Sequence, residues 1–324
     1  MELQKEYKAV IGFGNAIARL LIKDGSKSLS PEDSANIKQL IGSSYDQWAD
    51  GALSFWNWGM SDERVHSRIA EQIPDFDEHD SDGYCEQLYY YTMSHIHAAP
   101  GQEGRPRKIL EVGSGSGAGL NFLSRLEPQS SFTGVDLANQ AVTRATARFS
   151  RPGVVRYVNG DAENLPFADG EFDAVINVES SHNYPNLAAF FSEVERVLKP
   201  GGSFSLVDFF TEDRLAELQR CLSKPTSSLE PVADHDISEP VRAAIRRRMD
   251  PQSMFRAQIK KSSPLGTRFI LEPNALLHYG SSFVGKGKGG GMWNKLPGTG
   301  MTDGLRVVAK LSSYRHFLAI KSVS

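Results

Sequence analysis

The sequence predicts an α/β protein in which a mostly parallel sheet carries helices on both faces. Three observations point there. From Lys108 to Phe210 short apolar runs alternate with helical stretches; the first run ends in four glycines within seven positions; and the last helix of the series turns into a strand through Leu-Lys-Pro-Gly-Gly. Taken in order, ILEV is the first strand and its glycine loop opens a helix. SFTGVD is the second, followed by the helix NQAVTRATARF. VVRYVNGD is the third, FDAVINV the fourth with the helix LAAFFSEVERVL behind it, and GGSFSLVDFF the fifth.

The flanking segments read differently. Residues 1–100 form helices and connecting loops, a helical cap that contributes to the active site. Leu3, Tyr7, Val10, Ile11, Ile17, Leu20 and Leu21 repeat at helical spacing there, which fits a helix packed on the rest of the chain or one lying on a membrane surface. An aromatic-dense piece follows, with Tyr45, Trp48, Phe55, Trp56 and Trp58, and AAPGQEGRPRK marks a linker. The core then occupies residues 101–324. Within it, residues 211–271 are polar, mostly helical and without a strand pattern, an insertion expected to form a lid over the carboxyl edge of the sheet. A Gly-rich loop at about 285–300 is expected to be mobile, and SSFVG and YRHFLAIKSV are the expected closing strands.

At 324 residues with 40% hydrophobic content the chain can bury a substantial core, and a net charge of −3 gives no basic field for a nucleic-acid backbone. A small-molecule partner is therefore expected, with no nucleic acid. No apolar run is long enough to span a membrane and the first residues lack a signal-peptide pattern, so the expected location is cytoplasmic. Cys85 and Cys221 are far apart without metal-ligand spacing, and the histidines, His95 and His97 included, lack ligand company. No metal site is expected. The run Arg246 to Arg248 reads as a solvated helix face.

A strand that ends in glycines and opens a helix brings backbone N–H groups against a ligand, because residues without Cβ permit that approach. Gly113, Gly115 and Gly117 make this turn. The same letters satisfy a dinucleotide fingerprint, with Gly113, Gly115 and Ala118 in step and Asp136 about twenty residues on. Glu111, two positions before the first glycine, is a poor neighbour for pyrophosphate and a natural partner for an ammonium group. S-adenosylmethionine has that ammonium and no phosphate.

The motifs EVGSGSG, GVDLA, GDAENLPF and FDAVINVE…VLKPGG, in this order and spacing, resemble the class I methyltransferases. The resemblance implies a Rossmann-like, seven-stranded fold and S-adenosyl-L-methionine as cofactor. It implies cofactor contacts from Glu111, Gly113, Gly115 and Gly117, from Asp136 and Leu137 at the ribose, from Asp161 and Ala162 at the adenine, and from Asn177. The stretch from Gly160 to Gly202, with the final YRHFLAIK, is similar to the mycobacterial phthiotriol/phenolphthiotriol dimycocerosates methyltransferases and related small-molecule O-methyltransferases. The segment NVESSHNYP also resembles rebeccamycin-type sugar O-methyltransferases, which implies His182 as general base and Asp208 as its orienter or a second acceptor contact; an imidazole suits proton removal near neutrality.

Tyr45, Trp48 and Glu179 are candidate substrate contacts, the aromatics by closing over the sulfonium or simply by packing helices together. The expected activity is O-methylation of a hydroxyl on an apolar secondary metabolite. N- or C-methylation of a similar substrate, and a cyclase that binds the cofactor without transferring its methyl, are the alternatives.

Overall fold

The computed structural model describes residues 16, 20–21, 29–48, 54–76, 81–96, 104–262 and 310–323. The cap supplies α1 (Pro31–Trp48), α2 (Glu63–Gln72) and α3 (Tyr84–Ser94). Asp62 starts α2, its carboxylate accepting from the N–H groups of Arg64 and Val65. Most of the segment carrying Leu3 to Leu21, the SSFVG strand and the Gly-rich loop at 285–300 lie outside the described residues, as does His97.

The core alternates as its sequence indicates. β1 (Lys108–Val112), α4 (Ala118–Leu126), β2 (Ser131–Asp136), α5 (Asn139–Phe149), β3 (Val155–Asn159), β4 (Phe172–Val178), α6 (Leu187–Val197) and β5 (Leu198–Thr211) follow one another. After them come α7 (Glu212–Leu222), β6 (Leu229–Asp236), α8 (Ser238–Arg248), α9 (Met254–Ser262) and β7 (Leu311–Lys321). The seven strands form one sheet in the order β3-β2-β1-β4-β5-β7-β6, with β7 antiparallel to both neighbours.

The central strands are buried on both faces. Ala174, Ile176 and Val178 of β4 join one apolar cluster with Ile109, Leu120 and Leu88, while Val175 joins the other with Leu110, Phe190 and Phe204. α6 shows the pattern well. Leu187, Phe190, Phe191, Val194 and Val197 are buried on one stripe, and the side chain of Asn186 accepts from Ala189 N–H to start the helix.

One expectation is corrected. Residues 211–271 are not a purely helical lid, because LEPVADHD within them is β6, the outer strand of the sheet. Only Leu229 of that strand is buried, so it has no apolar alternation to read, and its proline and acidic residues suit an edge that must not pair with another chain.

Candidate active site

β1 ends at the glycine loop. Gly113, Gly115 and Gly117 all have positive φ, of 79°, 49° and 80°. A side chain at Gly113 would collide with Ser180, its Cβ falling 2.2 Å from that hydroxyl oxygen, so the loop after β4 closes directly onto the loop after β1. Asp136, at the end of β2, accepts from Gly115 N–H with one oxygen and from Ala138 N–H with the other, both at 2.8 Å. It therefore fixes the loop as well as facing the cleft, and burial raises its carboxyl above the usual range.

The cleft above these strand ends is walled by Gly113, Gly115, Asp136, Leu137, Asp161, Ala162 and Glu179 from the core, and by Lys38, Tyr45, Phe55 and Trp56 from the cap. Tyr45 and Trp56 stack with centroids 5.3 Å apart, and Trp56 lies against Gly115. Trp48 ends α1, and its side chain lies outside the described part.

Besides Asp136, two glutamates are displaced by burial, Glu179 on the cleft wall and Glu111 beneath it. Glu111 is fully buried; the Tyr89 hydroxyl donates to its Oε1 at 2.7 Å, its Oε2 has no hydrogen-bond partner, and desolvation pushes it up to about 8. An orphaned carboxylate oxygen beneath the glycine loop is what a ligand's ammonium group requires, so the residues present fit the cofactor that the motifs imply. Glu179 is likewise pushed up to about 8 by burial, accepts from Trp58 N–H at 2.7 Å, and is the one described residue other than glycine with positive φ, at 46°. It joins the cap to the sheet.

Lys38, which sequence reasoning missed, sits over the adenine-side motif. Its ammonium lies 2.7 Å from Asp161 and 2.6 Å from Glu163. Asp161 accordingly enters the site as an ion-paired group whose other oxygen accepts from Glu163 N–H. Asn177 does not stand on the cleft wall. It is wholly buried, and its amide donates to Val112 O, Ser180 Oγ and Tyr184 OH, tying β1 to the loop after β4.

His182 and Asp208 meet. His182 lies in a 3-10 turn after β4 and Asp208 near the end of β5, with Nδ1 and Oδ1 2.9 Å apart and exposures of 6% and 0%. A carboxylate only accepts, so Nδ1 carries the proton and Nε2 is left as the basic nitrogen. Asp208 also accepts from Ser181 Oγ, His182 N–H and Phe209 N–H, so protein donors meet both of its oxygens and it orients the ring. The ring stacks on Phe209 at 4.3 Å, and buried Arg214 donates to the Ser181 and Tyr184 carbonyls, holding the turn from below. Arg214 was not legible in sequence. His182 itself is set beside the cleft, its neighbours Ser180 and Asn183 forming part of the wall.

Two further readings change. Arg248 is buried, not solvated, and pairs with Asp82 at 2.9 Å. His95 does have ligand company, from His235 and His316.

A family profile described as "Methyltransferase domain" matches residues 110–206. A phthiotriol/phenolphthiotriol dimycocerosates methyltransferase of Mycobacterium ulcerans is 33% identical over 195 residues, covering 60% of this chain and 67% of that protein. The chain belongs to the class I S-adenosylmethionine-dependent methyltransferases. A fatty-acid O-methyltransferase of Mycolicibacterium smegmatis is 36% identical to this methyltransferase over 174 residues, 54% of this chain and 59% of that one. The alignments thus span about three fifths to two thirds of these two relatives' lengths. Among solved structures, a geranyl diphosphate C-methyltransferase of Streptomyces coelicolor superposes with a TM-score of 0.56 at 16% identity, covering 91% of this chain and all of that one. The cyclase SpnF does so equally, with 0.56 and 16% over 89% of this chain and 97% of its own. At these identities the methyltransferase shares their fold. Among its described residues no helix is long and apolar enough to cross a membrane.

Proposed function

We propose that the methyltransferase moves a methyl group from S-adenosylmethionine to a hydroxyl oxygen of an apolar, lipid-like natural product, with His182 taking the acceptor proton. The observation that carries this reading is the buried His182–Asp208 pair, fixed in the tautomer that leaves Nε2 basic. The bound cofactor supplies an electrophilic methyl on a sulfonium. Glu111 would hold its ammonium end, Asp136 its ribose, and Asp161 with the Ala162 N–H its adenine. Tyr45 and Trp56 offer aromatic faces on the cleft wall, where a cation gains about 0.5–2 kcal/mol. A fatty-acid carboxylate is already a nucleophile and has no use for a base, whereas a hydroxyl does, so the oriented imidazole favours a hydroxyl acceptor. The relatives named as methyltransferases weigh against the cyclase alternative.

The acceptor class is tested by supplying methyl-labelled cofactor with long-chain alcohols or diols and, separately, with fatty acids. Label in alkali-stable ethers is expected. Label found only in alkali-labile esters would overturn the hydroxyl reading.

A second expectation concerns Glu111. With its carboxyl pushed up to about 8 it is mostly protonated at pH 7, and an ammonium placed against it stabilises the carboxylate and drives the proton off. Cofactor binding at pH 7 should therefore release close to one proton from this group, and none above about pH 9. Calorimetry in buffers of different ionisation enthalpy reads this directly. Equal release by the wild type and Glu111→Gln would show that the ammonium binds elsewhere.

A further inference from the structure

At the β7–β6 end of the sheet, off the cleft wall, three histidines from three elements converge. His95 caps α3, His235 lies on β6, and His316 lies on β7 directly across from it as its cross-strand partner. One ring nitrogen from each falls within 4.8 Å of the others. The ring of His316 lies 4.6 Å from that of His95 and 5.7 Å from that of His235, centroid to centroid.

The hydrogen bonds fix which nitrogens carry protons. Ser205 donates its hydroxyl proton to Thr92 O, so towards His316 Nε2, 2.9 Å away, that oxygen can only accept. Nε2 of His316 is thus protonated and Nδ1 is a bare lone pair. That Nδ1 is buried in a residue with 0% exposure and has no hydrogen-bond partner. His95 Nδ1 lies 2.7 Å from the Tyr91 carbonyl, which accepts, so its lone pair is on Nε2. Two imidazoles are therefore held by backbone or hydroxyl partners in the tautomers in which metal-ligating histidines are held.

We propose that His95, His235 and His316 bind one first-row divalent cation of the zinc class, which ties the end of α3 to the outer strand pair. Three neutral imidazoles suit zinc, nickel or copper and not magnesium. Tetrahedral zinc at about 2.0–2.1 Å from each nitrogen separates its ligands by about 3.3 Å, so the rings, with one nitrogen of each already within 4.8 Å of the others, must draw together to bind it. The exposed His235 side chain, on the edge strand, has the room to make that move. None of the three lines the cofactor cleft.

The test titrates tag-free, metal-stripped protein with Zn2+ against a chromogenic chelator. One Zn2+ per chain with Kd below about 1 µM is expected, with a raised melting temperature in its presence and no competition from Mg2+. His235→Ala should weaken binding at least tenfold and leave the metal-free melting temperature unchanged, since that side chain is exposed; His95→Ala should weaken it similarly. Absence of saturable binding overturns the proposal, and so does His235→Ala protein that binds Zn2+ like the wild type.

Discussion

His182→Ala is expected to lower kcat by about 10²–10⁴, the usual contribution of a positioned base to removal of a hydroxyl proton. Cofactor affinity should stay within about twofold, because the imidazole stands beside the cleft and not on its wall. Asp208→Asn should cost a similar amount. Both oxygens of Asp208 accept protein donors. Whichever oxygen becomes an amide puts N–H against N–H, and the arrangement facing Nδ1 moves the ring proton to Nε2, where the base is needed. Steady-state kinetics with saturating acceptor, alongside calorimetric cofactor binding, checks both variants. Near-normal turnover in His182→Ala would leave proximity alone as the source of rate.

Arg248→Ala should produce the largest loss of stability. Its guanidinium lies 2.9 Å from Asp82, donates to the carbonyls of Asn57 and Trp58 at 3.0 and 3.1 Å, and stacks over Phe255 at 4.1 Å. Removing it strands a nearly buried carboxylate and takes a donor from one buried and one half-buried carbonyl, which costs about 3–5 kcal/mol. For a chain of this size that corresponds to a melting temperature lower by about 5–15 °C. Trp58 N–H in turn holds Glu179, so the cap should also loosen over the cleft and the apparent cofactor affinity should fall. Thermal denaturation of the apo protein is the measurement; a shift under about 2 °C would mean that Asp82 and the carbonyls find water instead.

What was legible in the sequence had a local cause. β1 to β5 are apolar runs bounded by glycine turns, and the glycine loop, Asp136 and Glu111 sit at strand ends whose spacing is fixed by the alternation. The His182–Asp208 pair was legible because His182 follows β4, Asp208 lies near the end of β5, and those two strands are neighbours in such a sheet. The rest depends on chain segments that meet only after folding. Lys38 reaches Asp161 across 123 residues, and nothing around either residue announces the other. Arg246 to Arg248 are alike in sequence, yet one buries its head group because of how α8 is rotated. β6 carries no apolar period because an edge strand needs none, and without that strand His235 cannot be placed beside His316.

The position of β7 has a consequence for the order in which the sheet can be completed. It comes last of the described elements and lies between β5 and β6, which do not pair with one another. Ser205 must wait for His316, 111 residues later, before its strand gains a neighbour on that side. While the ribosome is still making the intervening chain, β5 presents a long row of unpaired amides and carbonyls flanked by Phe204, Leu206 and Phe210, and β6 has no sheet to join. A nascent chain halted before Leu311 therefore resembles an aggregation-prone intermediate more than a smaller version of the enzyme, and this is the window in which a chaperone would find the chain exposed.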